Sequence, residues 1–247
     1  MNKRPTKEED PQDCVSLTTL VGGLAHEIRN PLSTINVSLQ LLKEEWLEAE
    51  SPREKRALRK LDVIQAETQR LQEILDDFLR FVRIDELYLK PLDVNAILDE
   101  IVEFIGHEVR LKGIEVIRFY DYNLPKVMVD GKFVKQAFLN VLMNAYQAIA
   151  EGGQIMIRTS PDADGIRIEI TDTGPGMPSE VLDKMFKPYY STKQSGTGLG
   201  MPTTRRIIEK HGGTIAVRSE VGHGTSVVVR LPGTGPEDNE CTENTND

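Results

Sequence analysis

Gly22-Gly23-Leu24-Ala25-His26-Glu27-Ile28-Arg29-Asn30-Pro31-Leu32 lies inside a run of apolar residues mostly three or four apart. Leu17, Leu20, Leu24, Ile28, Ile35, Leu39, Leu42 and Trp46 mark that run and predict one helix from about Val15 to Trp46. On a wheel of roughly 100° per residue, Leu17, Leu24, Ile28, Ile35, Leu42 and Trp46 gather on one side. His26 falls on the opposite side, and Asn30 lies about 40° from it. A histidine turned away from the apolar stripe is not a core residue, although on the wheel alone it reads equally as a plain surface histidine. Its chemistry adds a second reading. A neutral imidazole is a good nucleophile near neutral pH, and the proton on its other nitrogen needs an acceptor. Glu27 is adjacent and suits a general base, while Asn30 is placed to position water; each also reads as ordinary helix surface. Pro31 removes a mid-helix hydrogen bond and bends the helix at this point.

The segment Glu48 to Pro52 interrupts the pattern, and a second helix is expected from about Arg53 to Ile84. Its stripe is Leu58, Leu61, Ile64, Leu71, Ile74, Phe78 and Phe81, with Thr68 in the missing place. Two long helices joined by a short break make an antiparallel hairpin. A lone hairpin buries its two stripes poorly, so a second copy is expected to close a four-helix bundle as a homodimer.

Composition bounds what the rest can be. The 247 residues allow one or two domains. A net charge of −9 argues against a nucleic-acid partner. No apolar run of about 18 residues exists, so no membrane insertion is expected, and the polar start carries no signal-peptide core. The two cysteines, Cys14 and Cys241, suit free thiols in a reducing cytoplasm.

Beyond Lys90-Pro91 the pattern changes. Ile97, Ile101, Phe104, Ile105 and Val109 mark a helix ended by Gly113, and strands are expected at Ile114 to Tyr120 and Val127 to Val129. Asp130 suits the N-cap of a helix reaching Ile149. Further strands are expected around Gln154 to Thr159, Ile166 to Thr171, Thr214 to Ser219 and Thr225 to Leu231, with a helix over Pro202 to Lys210. This order is that of an α+β domain.

Three stretches of this half suggest nucleotide chemistry. The helix over Lys132 to Ile149 opposes an apolar face (Val134, Phe138, Val141, Leu142, Ala145) to a polar stripe of Gln136, Asn140, Asn144 and Gln147. Two asparagines at i and i+4 can offer carboxamide oxygens to one Mg²⁺; an ordinary solvated face has the same look. Asp172-Thr173-Gly174-Pro175-Gly176-Met177 follows a strand, where the aspartate can accept a hydrogen bond from an adenine amino group and the glycines let backbone approach a ring. Ser195-Gly196-Thr197-Gly198-Leu199-Gly200 leads into a helix whose N-terminus favours phosphate, with Lys193, Arg205 and Arg206 adding positive charge. It lacks the Gly-Lys-Ser/Thr of a P-loop.

Taken in order, these stretches resemble the catalytic core of a two-component sensor histidine kinase over about residues 15 to 232. His26-Glu27-Ile28-Arg29-Asn30-Pro31-Leu32 resembles the phosphoacceptor box, Asn140 to Ala145 the N box, and Asp172 to Met177 the G1 box. Phe186-Lys187-Pro188-Tyr189-Tyr190-Ser191-Thr192-Lys193 resembles the F box, Gly196 to Gly200 the G2 box, and Gly222-His223-Gly224-Thr225 the last glycine motif. The resemblance implies a helical hairpin, a four-helix bundle in the dimer, followed by a GHKL-type two-layer α+β sandwich. It divides the chain into a lead-in (1–14), a dimerisation and phosphotransfer hairpin (15–84), a hinge (85–92), an ATP-binding domain (93–232) and an acidic, disordered tail (233–247).

The same resemblance implies a cytoplasmic histidine autokinase. Asp172 reads adenine, flanked by Gly174 and Gly176. Asn144, supported by Asn140, holds Mg²⁺. Lys193, the Gly196-Thr197-Gly198-Leu199-Gly200 backbone and Thr225 complete the ATP site. His26 takes the γ-phosphoryl group with Glu27 as base and passes it to an aspartate of a separate response-regulator receiver. Asn30 orients water for dephosphorylating that regulator. Input is expected from a separate sensor protein or an upstream sensor segment. Two other classes stay open from the residues themselves: a nucleotide-binding adaptor without catalysis, and a GHKL ATPase of another kind.

Overall fold

The computed structural model describes residues 17–46, 51–82, 84, 87–193 and 196–233. The expected lead-in over 1–14, both cysteines, and all of the expected tail except residue 233 lie outside them. The chain divides after residue 83 into two compact units.

The first unit is a helical hairpin of α1 (Leu17–Glu44) and α2 (Pro52–Val82). α2 starts where the break was expected, and its start has a specific cause. The Glu54 N–H donates to Ser51 Oγ (3.2 Å) and the Ser51 N–H donates to Glu54 Oε2 (3.0 Å), a capping box with Pro52 in the first helical position. The two helices pack through Ala25, Leu39, Thr68 and Leu79, all buried. The same seam also carries polar pairs. Asn36 Nδ2 donates to Gln72 Oε1 (3.2 Å), Lys43 Nζ to Gln65 Oε1 (2.9 Å) and Asp62 Oδ1 (2.6 Å), and Arg29 pairs with Asp76. Thr68 fills the gap in the apolar stripe by turning its hydroxyl back to the Ile64 carbonyl (2.9 Å).

In the second unit a five-stranded sheet runs β2 (Ile114–Phe119), β4 (Gly153–Asp162), β5 (Gly165–Asp172), β7 (Gly224–Pro232), β6 (Thr214–Glu220) across its width. Only β2 pairs in parallel, with β4, through Ile114↔Gly153 to Phe119↔Arg158; the other pairs are antiparallel. α3 (Val94–Leu111), α4 (Gly131–Ala148) and α6 (Gly200–Lys210) form the second layer, and α5 (Ser179–Leu182) is a short turn of helix. This is the sandwich that the resemblance implied.

Alternation builds the core. Ile155 and Ile157 of β4, Ile166, Ile168 and Ile170 of β5, and Val227, Val229 and Leu231 of β7 point to the helical layer. There they meet Leu98, Ile101 and Ile105 of α3, Phe138 and Leu142 of α4, and Ile207 and Ile208 of α6. Each such side chain contributes about 1.5–3 kcal/mol by leaving water. A small separate sheet pairs β1 (Lys90–Leu92) with β3 (Val127–Val129). Residues 90–92 of the expected hinge therefore lie in a strand, and Ile84 sits fully buried in the core of this unit. Among the described residues no helix is long and apolar enough to cross a membrane.

Candidate nucleotide and phosphoacceptor sites

α4 supplies one wall of a polar site on the second unit. Asp130 caps it, its Oδ1 accepting from the Lys132 and Phe133 N–H groups at 3.0 and 3.3 Å. The helix buries Val134, Ala137, Phe138, Val141, Leu142 and Ala145, which leaves Asn140, Asn144 and Gln147 along the open side. Asn140 Nδ2 donates to the Gly200 carbonyl (3.2 Å) and Thr204 Oγ1 (3.3 Å), so this carboxamide holds the first turn of α6 against α4. Asn144 Oδ1 accepts from Lys193 Nζ at 2.9 Å, and Gln147 Oε1 accepts from the same ammonium at 2.6 Å. The Lys193 side chain as a whole is exposed, but desolvation at its ammonium lowers its pKa from the usual lysine value.

Asp172 ends β5 and is buried. Its Oδ1 accepts the Gly174 N–H at 2.8 Å. Burial pushes its carboxyl above the ordinary carboxylate range, against the pull of the backbone N–H groups of Gly174 and Thr225. At Gly174 a Cβ would come within 2.8 Å of Asp172 Oδ1 and 3.1 Å of the Ala148 methyl, so glycine is what keeps this floor open. Gly176 adopts φ 67°, and a Cβ there would sit 1.9 Å from the Glu220 carbonyl oxygen. Thr225, placed in the site by resemblance, lies opposite Asp172 in the β5–β7 ladder. Its hydroxyl is 2.9 Å from Ser219 Oγ, which also accepts the Met177 N–H at 2.8 Å. Thr225 and Ser219 thus brace the G1 turn.

The glycine loop is tied to the segment before it. Tyr189 N–H donates to the Gly198 carbonyl (3.1 Å), and Tyr189 itself has φ 63°, rare for a residue with a side chain. Gly196 lies so near Ser191 that a Cβ would reach its Oγ at 2.3 Å. Leu199 is buried and anchors the loop, with its N–H donating to Thr197 Oγ1 at 3.3 Å and its carbonyl accepting from Thr203 Oγ1 at 2.6 Å. Arg205 stacks over the Phe186 ring (4.7 Å) and pairs with Glu209 at 3.1 Å, which joins the F box to α6. The structure therefore gathers Asn140, Asn144, Asp172, Lys193 and the Gly196 to Gly200 loop around the open side of α4. Sequence reading left two participants without a role. Gln147 was visible as the last member of the polar stripe, while Ser219 sits in a plainly alternating strand and carries no sequence signal.

The donor set suits a hard cation held together with phosphate oxygens. Asn144 Oδ1 already accepts from a cationic group, and a carboxamide oxygen suits hard cations such as Mg²⁺, Ca²⁺ or Mn²⁺ better than zinc. Among the described residues no group of three or more His, Cys, Asp or Glu side chains could hold a metal on its own.

In the first unit His26 lies within α1, nine residues after its start. Glu27 and Asn30 are exposed on the same helix, and the Asn30 carbonyl accepts from Thr34 Oγ1 at 3.1 Å. Pro31 stands inside α1 as expected.

Two family models match the chain. The "His Kinase A (phospho-acceptor) domain" covers residues 16–87, and "Histidine kinase-, DNA gyrase B-, and HSP90-like ATPase" covers 129–235. The chain belongs to the histidine kinase family. Sensor histidine kinase ZraS of Escherichia coli (strain K12) is 34% identical over 218 residues, which are 88% of this chain and 46% of that protein. Sporulation kinase C of Bacillus subtilis (strain 168) is 31% identical over 234 residues, 94% of this chain and 52% of that one. This histidine kinase core thus spans about half the length of the curated relatives it matches. Among solved structures, full-length ShkA in complex with AMPPNP aligns with a TM-score of 0.70 at 25% identity, over 88% of this chain and 46% of that one. Histidine kinase ThkA in complex with the response regulator protein TrrA aligns with a TM-score of 0.63 at 25% identity, over 87% and 61%.

Proposed function

We propose that this chain is an ATP-dependent protein-histidine kinase of a two-component system. The reading is carried by the meeting of Lys193 with Asn144: the segment after the G1 turn brings an ammonium to the carboxamide oxygen of the N-box helix, beside the glycine loop. ATP lies with its adenine amino group on the Asp172 carboxylate and its phosphates toward the Gly196 to Gly200 backbone and Lys193. Mg²⁺ held at Asn144, with Asn140 in support, would neutralise phosphate charge. An imidazole nitrogen of His26 attacks the γ-phosphorus, the bond to the β–γ bridging oxygen breaks, and ADP leaves. Glu27 takes the proton from the other imidazole nitrogen. The phosphoryl group then passes to an aspartate carboxylate of a response-regulator receiver, and Asn30 positions water for hydrolysis of that acyl phosphate. The AMPPNP complex of ShkA and the regulator complex of ThkA support these partner classes.

We further propose that two copies pair through the hairpin and that the chain works on the cytoplasmic side, where ATP is supplied. Input comes from a separate sensor protein or a sensor segment upstream. Incubation with γ-labelled ATP and Mg²⁺ tests the central claim. Acid-labile label on the wild type, absent from His26→Gln, is the expected result; a wild type that takes no label sinks it.

A further inference from the structure

A buried polar joint lies at the opposite end of α4 and α6 from the glycine loop. Asp130 uses every hydrogen-bonding group it has. Its Oδ1 caps α4 through the Lys132 and Phe133 N–H groups. Its Oδ2 accepts the Tyr88 N–H at 3.1 Å. Its own N–H donates to His211 Nε2 at 3.0 Å. His211 Nδ1 lies 2.7 Å from the Ile207 carbonyl, an acceptor, so Nδ1 carries the proton and Nε2 is left to accept: the neutral tautomer is set by its two partners. Both Asp130 and His211 are more than nine-tenths buried, at 8% and 5% exposure. Neither touches the candidate ATP site.

What these bonds join is specific. Tyr88 lies in the segment that enters the second unit. Ile84 before it is in the core, and Lys90–Leu92 after it pairs with Val127–Val129, which leads directly into Asp130. His211 is the C-cap of α6, and α6 begins at Gly200, the last residue of the glycine loop. The other end of α6 is fixed to α4 by Asn140. An eleven-residue helix is a stiff rod of about 16 Å. It is held to α4 at both ends, and its far end is bonded to the residue that holds the entering segment.

We propose that Asp130 and His211 are positioning residues for phosphoryl transfer. They fasten the entering segment to α6, so that the connection to the phosphoacceptor hairpin is set by the same helix that carries the glycine loop. The part concerning nucleotide rests on the kinase reading above; the joint itself does not.

Asp130→Asn in the full chain isolates the joint. Asn is as good an N-cap as Asp, so Oδ1 keeps α4, while the amide that replaces Oδ2 turns a donor toward the Tyr88 N–H. In the nucleotide-free protein, hydrogen exchange at the Tyr88 amide should speed up roughly tenfold or more, the loss expected for a bond to a charged acceptor. ATP affinity should stay within about twofold, while the autophosphorylation rate at saturating ATP falls roughly tenfold or more, as misplacement costs. His211→Gln, which keeps an acceptor for the Asp130 N–H, should retain more of that rate than His211→Phe. A slow Tyr88 amide in Asp130→Asn, an unchanged rate, or an ATP affinity that drops as far as the rate would each overturn the proposal. A wild type that takes no label would count against the kinase reading instead, and the Tyr88 exchange comparison, made without nucleotide, would still decide the joint.

Discussion

Asp172 is asked to be an acceptor in a place that disfavours its charge. Burial raises its carboxyl pKa, so its ionisation costs the folded state, and that cost is fully present above the folded pKa. As pH falls through the raised value toward the ordinary one, the folded carboxyl takes up its proton first, and this group's contribution to stability improves while the capacity proposed for it, to accept from adenine, declines. Nucleotide affinity, followed by calorimetry down a pH series, should therefore begin to weaken at a higher pH than an ordinary carboxylate would give. Asp172→Asn keeps an oxygen for the Gly174 N–H but replaces the charged acceptor. It should weaken ATP binding by roughly tenfold or more, the scale of a hydrogen bond to a charged group, with a Tm equal to or above that of the wild type. Asn30→Ala should spare autophosphorylation and slow regulator dephosphorylation in a phosphate-release assay; equal dephosphorylation rates would remove its role. At this scale the sequence was informative wherever side-chain chemistry is unusual for its surroundings, as at Asp172 and Lys193. It was silent at Ser219, where a hydroxyl in an alternating strand looks like any outward polar residue.

The apolar stripe of α1 is not the seam that holds the hairpin together. Ile28 and Ile35 are 41% and 44% exposed in the single chain, and Leu71 of α2 is 52% exposed. The hairpin seam runs instead through Ala25, Leu39, Asn36 and Lys43, where polar pairs with α2 mix with small and apolar residues. Hydrophobic periodicity thus picked out Leu39 and Thr68 of the seam, and its exposed members form the face proposed for a second copy; it passed over Ala25, Asn36 and Lys43, where small and hydrogen-bonding side chains do part of the joining. Ile35→Glu with Leu71→Glu should yield a monomer by light scattering after size exclusion, with the catalytic unit still able to bind ATP. β3 was legible at Val127–Val129, whereas its partner β1 was not: three residues including Pro91 carry no period, and only the pairing with Val127–Val129 makes a strand of them. In the glycine loop the legible signal was composition, and the geometry gives its cause. Gly198 has φ 70°, and a Cβ would lie 2.6 Å from the Tyr190 nitrogen. Gly198→Ala should lose ATP affinity while far-UV circular dichroism is unchanged.

At the scale of the whole molecule, two units with separate cores should not melt as one. Urea should give two transitions, and if two copies pair through the hairpin as proposed, only that of the hairpin should move with protein concentration. Chelating divalent cations should abolish labelling from ATP, with Mg²⁺ restoring it. The order of boxes along the chain made the two-unit plan readable, whereas the parallel placement of β2 beside β4 had no counterpart in any local pattern. The β5–β7 ladder has a consequence for how the chain reaches its final form. Ile166 must find Leu231 and Asp172 must find Thr225 across intervening chain that includes the glycine loop and α6. Closing such long loops before any reward arrives slows folding, whereas the hairpin's contacts span far less chain. During synthesis the hairpin is complete well before β7 has been made, so its exposed apolar residues Ile28, Ile35 and Leu71 are in the open from an early stage. If two copies pair as proposed, the order of emergence from the ribosome favours pairing of neighbouring nascent copies ahead of completion of the sheet.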